Sequence, residues 1–179
     1  MPSTPLVENR GKEMNILKSD IQSVLSYENA RVLKKFRTRF AVSDVESQEL
    51  FTDLKKWLWL CAERRQALMH GLPVDTRPIV IHIGMVIVDE LWHTFILHTQ
   101  DYAEFCESYF GFFVHHSPGS PDFVPMTEEQ NCAQLNSIWD LFGEKTVLKW
   151  YEEYPERYSP ENLLKLMKPP VFGRPCEAL

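Results

Sequence analysis

An all-α fold in a single domain, a bundle of about six helices, is what the sequence predicts, and residues 79–83 offer the one short β-like alternative. Three observations carry that prediction. Apolar residues recur at spacings of three, four and seven along most of the chain, the period of an amphipathic helix. Two helix starts are written as capping boxes, Ser43-x-x-Glu46 and Thr127-x-x-Gln130. The chain has 179 residues, 44% apolar and 25% charged, which suits one globular domain.

Taken in order, residues 1–13 are polar, hold two prolines and a glycine, and predict a flexible N-terminal segment. The helical domain then runs over 14–168. Leu17, Ile21, Val24, Leu25, Val32, Leu33, Phe36 and Phe40 place a helical stripe between Ile16 and Phe40. The helix opened by Ser43 carries Leu50, Phe51, Leu54, Trp57, Leu58, Cys61 and Leu68, with Trp59 and Leu60 widening its apolar surface, until Gly71-Leu72-Pro73 stops it. A loop to Pro78 precedes the β-branched run Ile79 to Ile83, which reads equally as a short strand or as the buried start of a helix. Val88, Leu91, Trp92, Phe95 and Ile96 form the next stripe. Tyr102, Phe105, Cys106, Tyr109 and Phe110 form another, ended by Gly111. After the loop Ser117 to Pro121, Thr127 opens a helix through Leu135, Ile138, Trp139 and Phe142. Val147, Leu148 and Tyr151 continue before Pro155. Ser159-Pro160 caps a last helix through Leu163, Leu164 and Met167. The tail 169–179 is proline-rich and predicted to be extended.

Composition excludes several function classes. A formal charge of −6 argues against a nucleic-acid partner. No apolar run approaches the roughly 18 residues that span a bilayer, so no membrane insertion is expected. The N-terminus lacks the basic-then-apolar pattern of a signal peptide, and the four cysteines form no C-x-x-C pair, so a cytoplasmic protein with reduced thiols is expected. The partner, a protein or a small molecule, is not named by the sequence.

The chemistry-bearing residues concentrate between Val88 and Pro118. Asp89 and His93 are four apart and share a helix face at the edge of the apolar stripe. Cys106 follows on the next helix. His115 and His116 lie just past Gly111, where a chain reversal would bring them back toward the first helix. A carboxylate, imidazoles and a thiol in one pocket suit a divalent metal, zinc or iron foremost and copper as well, so the expected ligands are Asp89, His93, Cys106, His115 and His116. Asp89 serves equally as ligand or as the group that orients an imidazole. Taken singly, each residue also has a structural reading: a helical Asp–His pair, a core thiol, solvent-facing histidines. His70, His82 and His98 read as structural, Trp92 as stripe, and the pairs Lys34-Lys35 and Lys55-Lys56 as solvated faces.

The series Asp89-x-x-Trp92-His93, Leu97, Tyr102, Phe105-Cys106, Phe110-Gly111 and His116-x-Pro118 resembles the signature of the glycine-rich domain-containing protein-like family, in its short bacterial form. The resemblance covers residues 73–118. It implies that Asp89, His93, Cys106 and one of the paired histidines form a shared site, and it supplies no reaction. With seven glycines and no glycine-rich tract, the chain inherits no role of that tract, including any with RNA.

Three functions therefore compete. The first is a metal-binding or metal-dependent protein. It takes either a two-histidine, one-carboxylate iron site of Asp89, His93 and His116, or a zinc site of Cys106, His93 and His116 that activates a water. The second is a non-catalytic helical interaction module built on five tryptophans and eleven phenylalanines. The third is an enzyme with Cys106 as nucleophile and His93 or His116 as base.

Overall fold

The computed structural model describes residues 17–72, 79–117 and 124–169. The N-terminal segment read over 1–13, most of the loops read at 73–78 and 117–121, and the tail from 170 onward, with Cys176, lie outside the described residues. Within them the protein is all-α. The helices are α1 (Ile21–Ser26), α2 (Ala30–Arg39), α3 (Asp44–Met69), α4 (Val86–Leu97), α5 (Thr99–Tyr109), α6 (Glu128–Phe142), α7 (Glu144–Leu148), α8 (Tyr154–Arg157) and α9 (Pro160–Leu166). A 3-10 turn, Ile83–Met85, leads into α4, and a π-helical turn, Lys149–Glu153, joins α7 to α8. Among the described residues the only strand-like pairing is an isolated antiparallel bridge between Phe40 and Met167. No described helix is long and apolar enough to cross a membrane.

The 26-residue α3 is the central element. It begins at the capping box, where Ser43 Oγ accepts from the Glu46 amide at 3.1 Å and Glu46 Oε2 accepts from the Ser43 amide at 3.4 Å. Leu50, Phe51, Leu54, Trp57, Leu58, Trp59, Leu60 and Ala62 are all buried, on more than one face of the helix, because α1, α2 and α4 pack around it. Each fully buried leucine there contributes roughly 2 kcal/mol of transfer free energy.

The stripe read as continuous from 16 to 40 is two helices. Asn29 is the reason: its side chain accepts from the Val32 amide at 3.0 Å and starts α2 afresh. The carbonyls of Leu25 and Tyr27 left at the break are capped by Lys55 Nζ. Lys55 is therefore buried rather than part of a solvated face, and burial lowers its ammonium to about 8. The run 79–83 forms no strand. His82 caps the 3-10 turn instead, its Nδ1 accepting from the Gly84 amide at 2.7 Å. A Cβ on Gly84 would stand 2.4 Å from both His82 Cε1 and Pro155 Cγ, so only glycine allows this approach.

Five tyrosines, Tyr27, Tyr102, Tyr151, Tyr154 and Tyr158, have their phenols raised above the ordinary 10.0, in each case chiefly by burial. A group with a raised folded pKa contributes stability below its unfolded pKa and loses it as pH rises above that value. Above pH 10 each strongly buried phenol should remove about 1.4 kcal/mol of stability per pH unit. Lys55 acts oppositely, adding stability between about 8 and its ordinary 10.5. We therefore expect steep alkaline unfolding beginning above pH 10, with phenolate absorbance rising together with loss of helical circular dichroism. More than one phenolate per chain appearing while the helices persist would contradict this expectation.

Candidate metal centre

Two donors come from the first two turns of α4. Asp89 and His93 are an i, i+4 pair, with Asp89 Oδ2 3.7 Å from His93 Nε2. The adjoining apolar face of the helix holds them in place: Val88, Leu91, Trp92 and Phe95 are buried. The third donor arrives by the reversal at Gly111, whose φ of +78° is the left-handed conformation that favours glycine. Beyond it burial alternates from one residue to the next, as along an extended segment. Val114 is buried and His116 half-buried on the inner side, while Phe113 and His115 are exposed with their rings 4.9 Å apart. His116 thus reaches α4 and His115 does not.

His116 Nε2–H donates to Asp89 Oδ1 at 2.9 Å. Its ring lies edge-on between those of Trp92, at 4.4 Å, and His93, at 4.6 Å. One ligand atom from each of Asp89, His93 and His116 lies within 4.8 Å of the other two. Side-chain exposure rises from 12% at His116 through 20% at Asp89 to 41% at His93, so the cluster opens to solvent on the His93 side. Donors bound to one ion at about 2.0–2.2 Å stand roughly 2.9–3.5 Å from each other. The two Asp89 separations of 2.9 and 3.7 Å are close to that range.

Of the five residues singled out in the sequence, the structure therefore brings three together. Neither Cys106 nor His115 joins the group. Cys106 is fully buried on the inner face of α5, beside the Tyr102 hydroxyl and the Val114 backbone, and burial raises its thiol. A buried thiol shifted this way lacks the exposed thiolate that nucleophilic catalysis requires.

The segment carrying His116 is fastened from two sides. Arg65 of α3 donates to the Phe113 carbonyl at 2.7 Å and lies over the Phe112 ring. Tyr102 of α5, which helical periodicity alone marks only as a core residue, donates its hydroxyl to the Val114 carbonyl at 2.6 Å and accepts from Trp92 Nε1 at 3.0 Å. A shallow groove of about 580 Å³ elsewhere, lined by Lys145, Leu148, Lys149, Glu152, Glu153 and Glu156, includes none of the three donors.

A family model described as UCP032817-like matches residues 21–166, and the chain belongs to that family. No curated protein matches the chain, and no solved structure does. The family match corrects the resemblance to the glycine-rich domain-containing protein-like family, which rested on residues 73–118. Much of that series is explained by packing: Trp92, Tyr102, Phe105, Cys106 and Phe110 are core residues at helical spacing.

Proposed function

We propose that this member of the UCP032817-like family binds one divalent transition-metal ion through Asp89, His93 and His116. The observation that carries the reading is the convergence of one carboxylate and two imidazoles, from α4 and from the segment beyond Gly111, on a common focus at the protein surface. A metal would take the place of the His116 Nε2 hydrogen that now points at Asp89, and in the neutral imidazole that hydrogen moves to Nδ1. Two nitrogens and one oxygen suit iron, zinc or another borderline ion, and three protein donors leave coordination positions for water or substrate. That open arrangement belongs to catalytic rather than purely structural centres. Asp89 supplies negative charge, and the packed face of α4 holds it and His93 in register. Cys61, Cys106 and Cys132 are free, which fits the reduced cytoplasm where we place the protein.

The test is elemental analysis of protein purified without a metal-binding tag. We expect about one ion per chain, a melting temperature raised by added metal and lowered by chelation, and loss of both in His93→Ala/His116→Ala. Less than about a tenth of an ion per chain, with melting unmoved by saturating zinc, cobalt or ferrous iron, would overturn the proposal.

A further inference from the structure

The centre's donors sit on two separate elements, and what joins those elements decides whether the third ligand is in place when an ion arrives. We propose that Tyr102 is the positioning residue of this centre, its hydroxyl tying the helix that carries Asp89 and His93 to the segment that carries His116. The inference rests on the metal reading above.

The tie is a chain of two hydrogen bonds. Trp92 Nε1–H donates to the Tyr102 hydroxyl at 3.0 Å, and that hydroxyl donates to the Val114 carbonyl at 2.6 Å. Trp92 lies on α4 between Asp89 and His93. Val114 lies two residues before His116, and burial alternates along this segment, so the two side chains share its inner side. Fixing the Val114 carbonyl therefore fixes which way His116 points. Trp92 contributes a second time, its ring edge-on to the His116 ring at 4.4 Å. Tyr102 is fully buried, packs against Phe95 and Phe113 and has the Cys106 thiol beside its hydroxyl, so the hydroxyl has little freedom to leave Trp92 and Val114. The Arg65 contact to Phe113 anchors the same segment to α3 but makes no link to the helix bearing the other two donors. Groups that orient metal ligands in this way typically change affinity on the order of 10–100-fold when removed.

Tyr102→Phe removes the hydroxyl and keeps the ring. The probe is Co²⁺, titrated by its visible absorption. The wild type should bind about one equivalent. Tyr102→Phe should bind at least about tenfold more weakly, with an altered band pattern reporting a displaced nitrogen donor. Ile138→Val, a buried substitution on α6, controls for lost stability alone and should leave affinity and spectrum unchanged. Trp92→Phe, which deletes only the upper hydrogen bond and the indole ring, is the second arm should Tyr102→Phe fold poorly, and it should weaken Co²⁺ binding several-fold. Wild-type binding with both variants within about threefold of it would overturn the positioning role and leave the metal site standing. Absence of Co²⁺ binding in the wild type would instead remove the metal site, and this inference with it.

Discussion

Asp89→Asn should weaken zinc and cobalt binding by more than about 100-fold while leaving the metal-free protein folded, because the substitution keeps the shape of the side chain and deletes its charge. Asp89 is the hub of the cluster. One carboxylate oxygen faces His116 at 2.9 Å and the other faces His93 at 3.7 Å. An amide can still accept the His116 N–H through its oxygen, so the metal-free fold should lose no more than about 1 kcal/mol. It turns an NH₂ group toward the other histidine, however, and an NH₂ does not bind a cation. Isothermal titration with zinc, paired with thermal melts in the presence of chelator, separates the two effects. Affinity retained within about threefold would show that the ion is held elsewhere.

The largest loss of stability should follow Asp53→Ala, about 3 kcal/mol or more by urea denaturation. Asp53, on α3, has almost no solvent exposure. It accepts from the Tyr154 hydroxyl of α8, pairs with Lys149 Nζ at 2.8 Å, and has Lys56 Nζ at 3.9 Å. Alanine leaves a buried phenol and two half-buried ammonium groups without their carboxylate. Burial already lowers Lys56, a sign that its charge is poorly solvated there. Both lysines keep some access to water, which places the loss at the lower end of the range for breaking a buried pair. The double variant Asp53→Leu/Tyr154→Phe, which removes acceptor and donor together, should recover part of it. A single-variant loss under about 1 kcal/mol would show that the network adds little.

The helical class was legible because it rests on periodicity and caps, both local signals. Ser43-x-x-Glu46 and Thr127-x-x-Gln130 cap their helices in both directions, as their side chains allow. The break at Asn29 was hidden because the apolar spacing continues across it. Only the Asn29 side chain, bonded three residues ahead, betrays the new start. The burial of Lys55 and Asp53 was hidden for a different reason. Apart from the loose Asp53–Lys56 pair, each is satisfied by groups 28 to 101 residues away, and no short window of sequence holds both ends. At the candidate centre, Asp89 and His93 were readable from their i, i+4 spacing and the reversal from Gly111. Cys106 looked like a donor by proximity in sequence. Its helix instead turns the thiol inward, where Tyr102 and Val114 occupy it.

The alternation beyond Gly111 bears on how this site tolerates changes in chain length. Adding one residue directly after Val114 would carry His116 outward and swing His115 into its place, leaving the donor set chemically the same. Adding one residue after His116 would alter nothing at the cluster. Tandem imidazoles would thus act as a spare tooth on a ratchet, and the candidate centre should survive a single slip of the segment that delivers it.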